Sequence, residues 1–113
     1  MPSTQLQRSR QIAFDRQRGR CYYCDQQMCP TKAHGPLHLL CTAEHLLPRG
    51  EGGADDASNI VAACLHCNRT RHRRKVPPDP CTYRVEVRRR VMKGRWHQPN
   101  VLAWSATRSS RPD

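Results

Sequence analysis

The stretch TAEHLLPRGEGGADDASNIVAACLHCN, residues 42–68, decides the fold. It sets an acid beside a histidine (Glu44, His45), then a glycine-rich loop, then Asn59, then Cys64-x-x-Cys67-Asn68. The surrounding run HLLCTAEHLLP, 38–48, is rich in apolar residues and ends at Pro48, so it reads as a strand. RGEGGADDAS, 49–58, carries three glycines and reads as a loop. NIVAAC, 59–64, is a short second strand. No Pro or Gly interrupts Leu65 to about Lys75, which predicts a helix, and VPPDP, 76–80, stops it.

Outside this stretch, Cys21-x-x-Cys24 matches Cys64-x-x-Cys67 in spacing. Two residues between thiolates let one knuckle offer two sulfurs to a tetrahedral ion, and two knuckles complete a closed four-thiolate Zn²⁺ site. With no open position, that zinc is structural. A whole hairpin must fit between the pairs. Cys29, Cys41 and Cys81 are left over, as small buried hydrophobes or with no assigned role.

The chain has 113 residues and only six aromatic ones, so a single domain with a thin apolar core is expected, held by something besides packing. Lys and Arg number 20 against 9 Asp and Glu, a formal charge of +11, and all but three of the cations are arginine. That is the electrostatic footprint of a nucleic-acid partner. RTRHRRK, 69–75, is the densest basic run, and Arg69, Arg71, Arg73 and Arg74 are the expected contacts to nucleic-acid backbone. Arg88, Arg89 and Arg90 form a second cluster. No stretch is long and apolar enough to span a membrane. MPSTQLQRSRQ has no apolar segment of the signal-peptide kind, so a cytoplasmic location is expected, and thiols there favour metal over disulfides.

Glu44 and His45 end a strand, where successive side chains point to opposite faces. They therefore suit two jobs: the carboxylate holds a cation, and the imidazole acts nearby. Asn68 opens the predicted helix, with Arg71 and His72 three and four residues on along the same face. A carboxylate and an amide together suit Mg²⁺ or Mn²⁺, which keep several waters and take substrate phosphate as a further ligand. A free imidazole suits general-base activation of water. Such parts can hydrolyse a phosphodiester.

Taken in order, Cys21-x-x-Cys24, Glu44-His45, Gly52-Gly53, Asn59-Ile60-Val61 and Cys64-x-x-Cys67-Asn68 resemble the HNH endonuclease family in its four-cysteine zinc subclass. The resemblance covers residues 21 to about 73. It implies an α+β, zinc-stabilised ββα-metal fold, two antiparallel strands and a helix, here flanked by N- and C-terminal helices. It implies that His45 is the general base, that Glu44 and Asn68 bind the catalytic divalent metal, and that Asn59 bonds across the loop to hold the histidine's backbone. It also implies DNA as substrate, RNA being the second candidate, with 5′-phosphate and 3′-hydroxyl products. Glu44 stands where the family commonly has Asp, and Asn68 where it often has His. The rival function is a zinc-stabilised nucleic-acid-binding module without cleavage. A third is a zinc-stapled protein–protein adaptor.

The remaining segments give weaker signals. Residues 5–18 form a short helix ending near Gly19. Thr82–Lys93 fits a helix capped by Asp79 or Thr82, and its valines also fit a strand. Residues 1–98 are expected to form the domain, and 99–113 a loosely ordered basic tail, with Trp96 and Trp104 as packing anchors. His34, His38, His66, His72 and His97 are read as surface or packing residues, and Asp55 and Asp56 as turn acids. No specificity domain is visible, which suits low intrinsic specificity or a specificity partner protein.

Overall fold

A computed structural model describes residues 4–109. Helix α1, Gln5–Arg16, starts at a capping box: Thr4 Oγ1 accepts from the Gln7 amide at 3.1 Å, and Gln7 Oε1 accepts from the Thr4 amide at 2.9 Å. It is capped at Gln17, after which Arg18 (φ 55°) and Gly19 (φ 74°) are both left-handed and the Gly19 amide donates back to the Phe14 carbonyl at 2.8 Å. The chain then enters the first knuckle, Cys21–Cys24.

Strands β1, Cys41–His45, and β2, Ile60–Cys64, pair antiparallel, with Cys41 opposite Cys64 and His45 opposite Ile60. The expected first strand, 38–48, is shorter than its apolar run. Its start is instead a turn of 3₁₀ helix at Leu37–Leu39 that drops Leu39 into the core.

A two-stranded sheet leaves an outer edge unpaired. Here side chains cover it. Gln17 Nε2 donates to the Ala62 carbonyl at 2.8 Å, and Gln17 Oε1 accepts from the Ala62 amide at 2.9 Å. The Ile60 carbonyl accepts from Arg16 Nη2 at 3.0 Å, and Cys21 Sγ accepts from the Cys64 amide at 3.2 Å. With both edges satisfied, every β2 residue is buried.

Helix α2, Leu65–His72, follows β2 without a linker, and the Cys64 sulfur caps it by accepting from the Cys67 amide. It stops at His72, short of the predicted Lys75, because Arg71 reaches forward to the Pro78 carbonyl and folds the next segment back. Helix α3, Pro80–Met92, begins at the Asp79 cap with proline in its first turn, which resolves the helix-or-strand ambiguity of its valines. Tyr83 and Val87 are its buried face, and Tyr83 Oη donates to the Cys67 carbonyl at 2.7 Å.

Residues 99–109, expected as loose tail, form helix α4, Pro99–Ser109. Val101 and Ser105 are buried, and Ser105 Oγ accepts from the Gln27 amide at 2.8 Å. Trp104 lies against Gly35, where a Cβ would come within 2.5 Å of the indole. Residues 110–113 of that expected tail lie outside the described residues. No helix among the described residues is long and apolar enough to cross a membrane.

Tyr23, Met28, Leu39, Ile60, Tyr83 and Val87 are the large buried side chains, and the four knuckle cysteines sit among them. Beside this core, His97 is buried with both ring nitrogens lacking a partner among the described residues. Burial, then the neighbouring His66, holds its pKa down to about 4.

His97 binds its proton in the unfolded chain near the ordinary imidazole value and in the folded chain only near 4. Its neutral form therefore supports the fold fully above about pH 6.5, and that support fades as pH falls toward 4. His97→Leu, which removes two unsatisfied nitrogens, should match or exceed the wild type in stability at neutral pH and lose less of it on acidification. Denaturant titrations of both proteins across that window measure the difference.

Candidate functional site

Two adjoining centres are built on the ββα unit. The first is the sulfur cluster. Cys21, Cys24, Cys64 and Cys67 are buried, and their sulfurs lie within 4.8 Å of one another. The Cys24 and Cys64 sulfurs are 3.9 Å apart. Zn–S bonds of about 2.3 Å in a tetrahedron put sulfurs roughly 3.8 Å apart, so the set fits zinc.

The surroundings fit thiolates. Backbone N–H groups of Tyr23, Cys24 and Cys64 point at Cys21 Sγ, and Trp96 Nε1 donates to Cys67 Sγ at 3.3 Å. Burial opposes ionisation of Cys21, but hydrogen bonds from the other three thiols and the Cys24 amide bring its pKa well below the ordinary thiol value. Cys41, also buried, has its thiol pushed up by burial to about 12, so it behaves as a packing residue.

The second centre is a cleft of about 310 Å³ lined by Glu44, His45, Asn68, Arg71 and His72, with Pro48 and Arg49 at its rim. Glu44, His45 and Asn68, singled out in the sequence, thus converge. β1 supplies the first two and the start of α2 the third. Asn68 Nδ2 donates to Thr42 Oγ1 at 2.9 Å and to the Ala43 carbonyl, which ties the helix to β1 and orients its amide.

Glu44 is almost wholly buried, and three groups meet its carboxylate. Oε2 accepts from Tyr23 Oη at 3.0 Å and from Arg71 Nη1 at 3.3 Å. Oε1 lies 3.0 Å from His72 Nε2. Burial first, and then the Glu44 charge, push the Tyr23 phenol well above its ordinary range, so it stays a donor.

Arg71 Nη1 also approaches His72 Nε2 at 3.2 Å. That nitrogen sits between a guanidinium donor and a carboxylate acceptor: with its own hydrogen it donates to Glu44 Oε1, and without it it accepts from Arg71 and offers a lone pair to a cation. Adjacent ligands on an octahedral ion at about 2.1 Å stand about 3.0 Å apart, so this pair has the span of two cis ligands. His72 was read as a solvated helix residue. Its signal in the sequence was its place one helical turn after Asn68.

His45 is 19% exposed, and its Nε2 lies 2.8 Å from Asp55 Oδ1. Asp55 is therefore more than the turn acid it was read as. Asp56 is one: it accepts from the Ser58 amide and hydroxyl. Arg49 clamps Asp55 from the other side, with Nε at 3.0 Å from Oδ1 and Nη2 at 2.9 Å from Oδ2. Hydrogen bonds from Arg49 and then His45 hold the Asp55 pKa below the usual carboxylate value.

Asn59 spans the loop. Its Nδ2 donates to the Leu47 and Ala54 carbonyls, both at 2.9 Å, and its Oδ1 accepts from the Leu47 amide at 2.8 Å. These bonds lie two residues beyond His45. Gly53 belongs to the same closure: a Cβ there would sit 1.7 Å from the Leu47 carbonyl oxygen.

Of the four arginines expected on nucleic acid, two are occupied internally. Arg71 is buried against Glu44, because a buried carboxylate needs a cation beside it. Arg74 pairs with Glu86 of α3. Arg69 and Arg73 are exposed.

A family model described as HNH endonuclease matches residues 21–74. No curated protein matches the chain.

Two outcomes follow from this geometry. The wild type should bind zinc and Cys24→Ser should not, read by metal analysis of the purified proteins, and the variant should lose the cooperative unfolding transition with it. Gly53→Ala should destabilise by about 1–3 kcal/mol or more through backbone collision, read by denaturant titration.

Proposed function

Residues 21–74 being an HNH endonuclease domain with the buried four-cysteine cluster of the zinc subclass, we propose that the protein is a metal-dependent nuclease that hydrolyses DNA phosphodiester bonds. The observation that carries this is the meeting of Glu44, His45 and Asn68 in one cleft, a strand end against a helix start.

In this mechanism Glu44, Asn68 and His72 would hold a divalent ion, and His45 takes the proton from the attacking water. The ion, when bound, supplies charge stabilisation for the phosphoryl and leaving oxygens. Glu44 keeps one oxygen toward Tyr23 and Arg71, which fixes the carboxylate's plane and leaves Oε1 beside His72, where it could serve as a ligand. Asn59 holds the backbone that follows His45, so the imidazole keeps its place when the substrate enters.

Arg69 and Arg73 face solvent and bind the phosphate backbone, together with the exposed Arg89 and Arg90 of α3. The four-cysteine cluster holds Zn²⁺ as a structural ion. An imidazole among the catalytic ligands favours Mn²⁺ over Mg²⁺, which prefers oxygen alone. Seven cysteines without a disulfide suit a reducing, cytoplasmic setting.

Supercoiled plasmid incubated with Mn²⁺ or Mg²⁺ tests the proposal. The wild type should nick or linearise it, faster with Mn²⁺. His45→Ala should cut at least about 100-fold more slowly while binding DNA as well as before. His72→Ala should narrow the Mn²⁺ advantage. DNA binding with no cutting by the wild type in either metal would leave a nucleic-acid-binding module instead.

A further inference from the structure

On the nuclease function proposed above, we infer that Asp55 is a positioning residue for His45, fixing which ring nitrogen is free to act. The contact is direct: Asp55 Oδ1 lies 2.8 Å from His45 Nε2. Asp55 is an acceptor only, because two Arg49 N–H groups, at 3.0 and 2.9 Å, hold it as a carboxylate. The proton between Asp55 and the ring therefore belongs to Nε2. Nδ1 is left with the lone pair, and it makes no hydrogen bond among the described residues. The nitrogen that would accept the water's proton is set by a residue ten positions away in the loop.

The loop is built to hold that carboxylate still. The Asp55 carbonyl accepts from Ser9 Oγ of α1 at 2.6 Å. The preceding carbonyl, of Ala54, accepts from Asn59 Nδ2 at 2.9 Å. Arg49 grips the side chain with two parallel bonds, the geometry that fixes a carboxylate in direction as well as position. Backbone and side chain are thus anchored independently, and the anchors come from α1, from β2's entry and from the segment after β1.

The charge balance follows from the same contacts. As His45 gains a proton at Nδ1 it becomes a cation, and Asp55 lies directly behind it. The bond between Nε2 and Oδ1 then joins opposite charges, which strengthens it as the reaction proceeds. Nothing is transferred to Asp55: the proton gained stays on Nδ1, and the one on Nε2 stays where it is.

Asp55→Asn and Asp55→Ala test the assignment in the full-length, zinc-loaded chain. Asn offers one acceptor oxygen where three N–H groups converge, and its amide can itself donate to the ring, so it should favour the opposite tautomer. The Ala variant should leave the tautomer unspecified. Both should lower kcat about 10- to 100-fold with KM for plasmid little changed. Long-range ¹H–¹⁵N spectra of the His45 ring should show the Nε2–H form alone in the wild type, a mixture of the two tautomers in Asp55→Ala and the Nδ1–H form in Asp55→Asn.

Zinc content and circular dichroism confirm that a variant is folded before it is compared. The assignment is overturned if kcat holds in both variants, or if Asp55→Asn keeps the Nε2–H form alone, whatever the rate does. A wild type that does not cut, or a His45→Ala that cuts normally, defeats the nuclease proposal instead. The ring spectra read Asp55 without any cleavage and so keep the two failures apart.

Discussion

Four sulfurs in one buried cluster, within 4.8 Å of each other, are the constraint on which the rest of this small protein depends. Thiolates that close in a low-dielectric interior repel one another strongly without a cation among them. A zinc ion held there would turn that repulsion into a strong cross-link between the segments that carry the cysteines. The apolar core could not do the job alone: its large members are few, and several lie directly around the cluster. The cluster also joins segments far apart in sequence, the loop after α1 and the β2–α2 junction.

The position of that junction explains how one cross-link can also build a reactive cleft. Cys64 is at once the last residue of β2, the cap of α2 and a member of the cluster. The helix direction is thereby fixed within one residue of the metal site, and Asn68 directly follows Cys67. Register does the rest. Pairing Cys41 with Cys64 puts Glu44 opposite Val61 and His45 opposite Ile60, at the loop end of the hairpin. A one-residue slip would exchange the buried acid and the half-buried imidazole, which is why the register must be firm.

Much of this was legible in the sequence because it was encoded locally. Spacing alone gave the knuckles. The GG loop and Asn59 marked the hairpin, and the unbroken run after Leu65 marked the helix. What stayed hidden depended on partners distant in sequence. α4 was read as tail because its composition is Ser- and Arg-rich, and only the docking of Val101 and Ser105 against the first knuckle segment orders it. Arg71 looked like any other residue of a basic run, and the need to neutralise a buried Glu44 could not be seen before Glu44 was known to be buried. Asp55 and Asp56 are identical neighbours in a turn-like context. The fold of the loop alone sends one to His45 and the other to Ser58.

The basic composition therefore serves two ends. Part of it is internal counter-charge: Arg71 for Glu44, Arg74 for Glu86 and Arg49 for Asp55. These pairs are as much a response to the acids of the cleft and its supports as a signal of a polyanionic partner. Subtracting them leaves a surface that is still strongly cationic, since acids are less than half as numerous as bases. The distinction matters physically. A surface arginine contributes salt-dependent affinity for phosphate. A buried one locks a carboxylate in place and contributes geometry. For the hydrolysis proposed above, which would need an ion on one side of a phosphorus and a base on the other, the buried arginine bears on the chemistry more directly than the exposed ones.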